Sequence, residues 1–414
     1  MHSANYATNV RILFVHEVNW REKVTFEMHE LPELLSLRGH DVDFVDFPEG
    51  VSPRGFRRLL DLRTNSVVYR SRTYPGSHVH VVTPGRIVGP PIDRLVASFT
   101  LVPCLISLLR AKRYDIIVLY AVPTSGWQTL LLANLFKVPV LYRGLDVSHA
   151  IRFSAFRGLI KVAERFVYRR SSWLSLNNEK LLEYCVSMGA SRARCSVDFA
   201  GVAEHLNPSD DQVLRLRSQL SIASDRKIIY FLGSLFTFSG LSRVLDELAS
   251  NSRRRAMISL IVTGDGDLMS ELTKKVREHQ LQDCVHLVGR IPFNQISVFM
   301  ALADVGIIPF DRLLVTHVAF PWKSVQYLSA RVPIVASQLD GLQSVFPEGY
   351  GVIYDSPERS ILDRVEDLLT DPEFAGTVAL RGEQIVNHKF KWKYNVLNFE
   401  DRFRSVIDLS LARK

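Results

Sequence analysis

Three loops of this 414-residue chain combine glycines, hydroxyls and a lysine in a pattern that suits an anionic ligand. The first reads Gly233-Ser-Leu-Phe-Thr-Phe-Ser239-Gly240, between a β-branched run and a helical pattern. Glycines let a backbone approach a ligand closely, and a helix start presents free N–H groups with partial positive charge, which together suit a phosphate. A tight turn capped by Ser239 has the same spacing. The second loop, Gly264-Asp-Gly-Asp267, reads equally well as a turn with an Asp near a helix start. Neither matches G-x-G-x-x-G or a Walker A pattern, so both argue against nicotinamide and P-loop chemistry. The third contains Val318-Ala-Phe320-Pro321-Trp-Lys323-Ser-Val-Gln326. Pro321 stands at or just before a first helical position, where a missing N–H does no harm. Lys323 in that first turn opposes the helix dipole, so it invites an anion.

These loops need strands and helices to carry them. Val10–Val15 reads as a strand, Lys23–Leu37 as a helix and Asp41–Phe47 as a second strand, a βαβ unit that implies a parallel sheet. Alternation continues through strands at 79–83, 114–120, 138–142 and 173–176, with helices at 92–112, 126–136, 151–171 and 179–188. A second series follows Asn207-Pro-Ser-Asp-Asp211. Its strands fall at 227–232, 257–263, 285–288, 305–309 and 333–337, and its helices at 241–249, 267–279, 294–302 and 323–330. Two such series predict two doubly wound α/β domains with ligands at the carboxyl ends of the strands. The length also favours two or three domains.

Composition places the chain among ordinary globular proteins, with 47% hydrophobic and 23% charged residues. Cys104, Cys185, Cys195 and Cys284 lie far apart, which argues against a disulfide framework or structural zinc and fits a reducing compartment. No signal-peptide layout opens the chain, and Leu101–Leu109 and Ile116–Val122 are too short to span a bilayer. A cytoplasmic protein is expected. The formal charge of +8 is uneven: residues 51–200 hold 22 Lys and Arg against 8 Asp and Glu, while residues 201–414 hold 25 against 26.

Six features in order resemble a GT-B glycosyltransferase, nearest to the retaining family 4 group. They are the opening strand and helix, Gly201-Val202, Gly233–Gly240, Gly264-Asp-Gly266, Val288-Gly-Arg-Ile-Pro292, and Pro321-x-Lys323-x-x-Gln-Tyr-Leu followed by Pro-Ile-Val-Ala-Ser337. Phe390-Lys-Trp392 resembles the start of the family's last helix. The resemblance implies two Rossmann-like domains facing a central cleft: residues 1–205 for the acceptor, 206–385 for a nucleotide sugar, and 386–414 crossing back as a helix. It implies transfer of a hexose from a UDP- or GDP-linked sugar, with retention and no required metal or other cofactor. The Gly233–Gly240 loop would lie near the diphosphate, Arg290 and Ile291 beside the base, Phe320 and Pro321 beside the sugar through backbone amides, and Gln326 at the ribose, with Gly264 also in the donor site.

The departures from the family are as informative. Ser234 and Ser239 stand where many members carry Arg and Lys, and Val318 and Gln326 where many carry two Glu. Lys323 is the candidate for the missing positive charge on the diphosphate, where leaving-group charge develops. The loop His16-Glu17-Val-Asn-Trp-Arg21-Glu-Lys23 lacks the usual glycine pair, and Lys23 or Arg21 could replace its amides. Asp146 matches the family's acidic neighbour of a histidine whose place is taken by Leu145. Asp146 is expected to be catalytic, with Glu17, Lys23, Arg143 and His149 on the acceptor side.

The basic excess gathers in residues 51–113 and 151–172, the latter interleaved with apolar residues at helical spacing. That pattern fits a helix on an anionic leaflet, and equally a charged solvent face over a buried apolar one. No nucleic-acid-binding signature accompanies it. The expectation is peripheral contact with the inner face of the cell membrane and a lipid-linked or glycan acceptor, in surface polysaccharide or glycolipid synthesis. Two other classes share the architecture: a GT-B-like nucleotide-sugar epimerase, and a non-catalytic scaffold at the membrane.

Overall fold

The computed structural model describes residues 9–21, 23, 25–47, 65–70, 72–85, 93–151, 156–202 and 208–412. It divides into one unit of residues 1–200 with 393–414 and another of residues 201–392.

The first unit opens with β1 (Arg11–Val15), α1 (Glu27–Leu37), β2 (Asp41–Val45), β3 (Asn65–Arg70) and β4 (His78–Thr83). It continues with α2 (Asp93–Ala111), β5 (Ile116–Leu119), α3 (Gly126–Leu135), β6 (Val140–Gly144), α4 (Ser148–Ile151) and α5 (Arg157–Arg170). β7 (Trp173–Leu176), α6 (Glu179–Ser187) and β8 (Cys195–Val197) follow. The sheet order is β3-β4-β2-β1-β5-β6-β7-β8. All neighbours are parallel except β3 and β4. Strands β1 and β5 are buried almost throughout, as continuous apolar runs covered by helices on both faces should be.

Helix α1 begins four residues later than its periodicity predicts. The carbonyls of Trp20, Arg21 and Lys23 are held by the Arg72 guanidinium, and Phe26 is extended, so this stretch is a pinned loop. The helix expected over 151–171 is divided into α4 and α5; residues 152–155 lie outside the described residues. So do residues 48–64 and 86–92, which hold much of the first basic stretch.

The second unit contains α7 (Asp210–Gln219), β9 (Lys227–Leu232), α8 (Leu241–Ser250), α9 (Ser252–Met257), β10 (Ile258–Thr263) and α10 (Met269–Glu278). Next come β11 (Val285–Gly289), α11 (Ile296–Leu302), β12 (Val305–Ile308), α12 (Leu314–Val318) and α13 (Lys323–Ser329). β13 (Ile334–Ala336), α14 (Asp340–Gln343), β14 (Val352–Tyr354), α15 (Ile361–Thr370), α16 (Pro372–Lys389) and α17 (Trp392–Leu411) complete the chain, α17 belonging almost wholly to the first unit. Its sheet is parallel throughout, in the order β11-β10-β9-β12-β13-β14. Phe231, Leu245, Leu260, Ile307 and Val335 form part of one continuous core between sheet and helices. Both units are the doubly wound α/β sheets that the alternation predicts.

Candidate functional site

In the second unit, three loops at the carboxyl ends of adjacent strands are knitted in series. Gly233 N donates to Thr263 O at 2.9 Å, Leu235 N to Asp265 O at 3.0 Å, and Gly264 N to Gly289 O at 2.8 Å. These bonds join the Gly233 loop, the Gly264 loop and the segment that carries Arg290 and Ile291. Gly264 is required here: its φ is +135°, and a Cβ would stand 1.8 Å from Gly233 O. Gly240 is equally constrained, with φ +69° and a Cβ position 1.6 Å from Pro309 O. Ser234 is exposed on the loop, whereas Ser239 is fully buried and its Oγ has no hydrogen-bond partner among the described residues. Arg290 is exposed beside the partly buried Ile291.

Lys323 is brought to the same loop. The Tyr327 hydroxyl, one turn along α13, donates to Tyr230 O at 2.9 Å and accepts from Leu232 N at 2.8 Å. Gly306 in β12 leaves room for the Tyr327 ring. Thus anchored, Lys323 holds its ammonium 3.8 Å over the Phe231 ring and 4.8 Å over that of Phe310, a cation–π arrangement. The ammonium lies 3.0 Å from where a Gly233 side chain would begin. Among the described residues no carboxylate pairs with it. Although the residue keeps some exposure, burial of its charged end pushes its pKa down to about 7.

Gln326, also on α13, is partly buried, and its side-chain amide has no hydrogen-bond partner among the described residues. Val318 is buried, and the Phe320 side chain belongs to the core, stacked on Phe346 and Phe390. One expectation needs correction: Pro321 has no N–H to offer a sugar, and its carbonyl is occupied by the Ser324 amide and hydroxyl.

Sequence reasoning passed over a charged cavity of about 300 Å³ lined by Arg243, Asp311, Arg312, Ser337 and Asp355. Its arginines are matched, Arg243 to Asp311 at 3.0 Å and Arg312 to Asp355 at 2.7 Å. Neither Gly233 nor Lys323 lines it. The available signal was Asp311-Arg312 just beyond β12, at the end where parallel sheets bind ligands.

In the first unit the expected acceptor-side residues separate. Arg143 is 1% exposed and grips Glu27 with two bonds, of 2.6 and 2.9 Å, while Tyr120 donates to the same carboxylate at 2.8 Å. It also donates to Asp198 O at 2.8 Å. It is an internal brace, not a group that meets a substrate. His149 is 3% exposed, with Nδ1 2.6 Å from Glu164, and is likewise structural. Glu17 accepts from Thr124 N at 2.6 Å, Thr124 Oγ1 at 2.8 Å and Ser125 N at 2.8 Å, so it caps the approach to α3. All three are corrections with one cause: each polar side chain is spent on backbone or counter-charge inside the unit.

Lys23 and Asp146 fare differently. Asp146 remains accessible just after β6, yet the protein around it raises its carboxyl above the usual aspartate range, and the Lys23 charge opposes that rise. Lys23 also helps burial hold His16, stacked at 5.0 Å on Tyr120, down to about 3. Arg21 lies on the same loop, its amide bonded to Asn19 Oδ1 at 2.9 Å.

Comparisons with known proteins agree with this architecture. The model for glycosyl transferases group 1 matches residues 213–383, and that for the glycosyl transferase 4-like domain matches residues 26–197, so the two span most of the chain. A lipopolysaccharide 1,2-N-acetylglucosaminetransferase of Salmonella typhimurium is 26% identical over 49% of this chain and 53% of its own, about half its length. An uncharacterized glycosyltransferase of Methanocaldococcus jannaschii is 20% identical over 87% of this chain and 89% of its own. Among solved structures, the sucrose-phosphate synthase of Thermosynechococcus elongatus superposes with a TM-score of 0.79 at 18% identity, covering 97% of this chain and all of that one. Anabaena HepE in complex with UDP-glucose gives 0.72 at 17% identity, covering 97% and 100%. With two parallel α/β units and matches along both, this chain belongs to the group 1 glycosyltransferases of GT-B fold.

Proposed function

We propose that this glycosyltransferase moves a hexose from a UDP- or GDP-linked donor to a lipid-linked or glycan acceptor, with retention, in surface polysaccharide or glycolipid synthesis. The observation that carries the donor assignment is the ammonium of Lys323, without a carboxylate partner among the described residues and set against the Gly233 loop. During transfer the bond from the anomeric carbon to the β-phosphate oxygen breaks, and one to an acceptor oxygen forms. The acceptor hydroxyl proton leaves with the departing diphosphate or with water. Negative charge grows on that diphosphate, so a lysine fixed beside it lowers the barrier. Gln326, whose amide is uncommitted, would bind ribose hydroxyls, and Ser234 is exposed where it can reach a phosphate oxygen. On the acceptor side Lys23 and Asp146 are both exposed, and the Lys23 charge opposes the rise in the Asp146 pKa.

The names of relatives support the substrate class. One is a lipopolysaccharide N-acetylglucosaminetransferase, and another, from Mycolicibacterium smegmatis, is a GDP-mannose-dependent phosphatidylinositol monomannoside mannosyltransferase, 24% identical over 45% of this chain. HepE holds UDP-glucose on the same fold. The test is thermal stabilisation by UDP, GDP and their sugars: a ligand at 100 times its Kd should add about 2.7 kcal/mol. Failure of every nucleotide to stabilise the protein would overturn the donor assignment in favour of a non-catalytic role. Once a donor is found, the anomeric configuration of the product, read by NMR, decides retention; inversion would refute it.

A further inference from the structure

One layer of the first unit presents an apolar face that the interior does not use. The chain passes from β4 to β5, β5 to β6 and β6 to β7 in one direction across the sheet, so right-handed crossovers put α2, α3 and α5 on the same side. Helix α3 packs beside both of its neighbours. Its outer stripe is Trp127, Leu131 and Leu135, spaced four residues apart, and Leu135 is 71% exposed. On α5, Leu159 and Val162 are 69% and 65% exposed, and on α2 Phe99 is 67% exposed. Single exposed leucines are ordinary, but six large apolar side chains on three adjacent helices make a patch that calls for a partner.

On α3 and α5 the exposed charges are of one sign. Helix α3 has no charged residue, and the one acid of α5, Glu164, is buried against His149. The exposed charges of α5 are therefore all basic: Arg157, Lys161, Arg165, Arg169 and Arg170. Apolar side chains that include a tryptophan, edged by cations, match the interface of an anionic bilayer, where rings and aliphatic chains enter among head groups and arginines meet phosphates. A second copy of this chain would set like charges against each other.

We infer that this α2–α3–α5 face docks the first unit onto an anionic lipid surface. The sequence supplied the basic half of this surface in residues 151–172. The apolar half on α3 comes from the fold alone. Docking would hold Asp146, just beyond β6, close to the plane where a lipid-linked acceptor lies. It requires neither donor binding nor catalysis, so it stands or falls separately from the proposed activity.

Vesicle flotation at low salt tests it with the intact protein. Binding is expected to phosphatidylglycerol vesicles and not to pure phosphatidylcholine, and should weaken as salt is added. The double substitution Lys161→Ala with Arg165→Ala should weaken it about 30-fold, at about 1 kcal/mol per cation. Leu135→Asp with Leu159→Asp should abolish it, with thermal midpoint and nucleotide-induced stabilisation unchanged. Trp127 fluorescence, isolated as the difference from Trp127→Phe, should shift to the blue on vesicle binding. Absence of binding to anionic vesicles would overturn the inference, as would binding that both double variants retain. A dimer in the wild type that Leu135→Asp dissolves would assign the face to a second copy instead.

Discussion

Replacing Lys323 by methionine separates two effects that a lysine at this position must combine. In the empty protein its ammonium is held near pKa 7 by burial, against 10.5 in an unfolded chain. Below pH 7 it is charged in both states, and the fold bears the full cost of burying the charge. Between pH 7 and 10.5 the native state releases a proton that the unfolded state keeps, so stability rises with pH, by at most about 1.4 kcal/mol per unit. Lys323→Met, which keeps the length and apolar contact with Phe231 and Phe310, should therefore stabilise the empty protein at pH 6, by an amount on the order of a few kcal/mol. It should also flatten the rise between pH 7 and 9. Nucleotide binding should move the other way. A diphosphate beside the ammonium favours its charged form, so binding above pH 7 takes up a proton, and affinity falls up to tenfold per pH unit. Loss of the charged hydrogen bond in the variant should cost about 1.5–3 kcal/mol, or roughly 10- to 150-fold in Kd. Titration calorimetry at pH 8 in two buffers of different ionisation heat measures the proton uptake, and urea unfolding at pH 6 and 9 measures stability. Equal nucleotide affinity in Lys323→Met, together with no proton uptake by the wild type, would refute the diphosphate role.

Two further outcomes follow from the geometry. Gly264→Ala forces a side chain into Gly233 O at a φ of +135° and should cost more than about 2 kcal/mol by urea unfolding, displacing the loop and abolishing nucleotide-induced stabilisation. An Ala variant with wild-type stability would show that the three loops are not coupled. In the first unit, Arg143→Met leaves Glu27 buried and uncompensated and should cost about 3–5 kcal/mol, much of it recovered by adding Glu27→Gln. If the two losses simply add in a double-mutant cycle, the brace is not a coupled pair.

Much of the fold was legible because buried parallel strands write themselves as apolar runs. Ile228–Leu232 and Ile258–Val262 could be placed within a residue or two, since short runs rich in β-branched residues, with Ser259 their one polar member, fit a strand buried on both faces. What escaped were the elements whose signal is short or tertiary. Strand β3 is an antiparallel addition to β4 within a basic stretch, and β8 and β14 are three residues each. In the site, glycines were readable because their requirement is local: Gly240 and Gly264 are fixed by a turn and an adjacent backbone atom. Lys323 stands out in the sequence because a cation at a helix start is locally unfavourable and needs a reason.

The misjudged residues share a physical trait: their fate depends on partners remote in sequence. Arg143 meets Glu27, 116 residues earlier, and Glu17 caps Thr124 and Ser125, 107 and 108 residues later. A polar residue near the end of a strand has two futures, facing the ligand or supporting the loop that does. Composition and spacing do not separate them, because both futures select the same residue types. What separates them is whether the hydrogen-bonding capacity of the side chain is already satisfied inside the unit. By that criterion Arg143, His149 and Glu17 belong to the scaffold. Lys323, Gln326 and Asp146 retain capacity for something outside it, and the substitutions most informative about chemistry are those at these three positions.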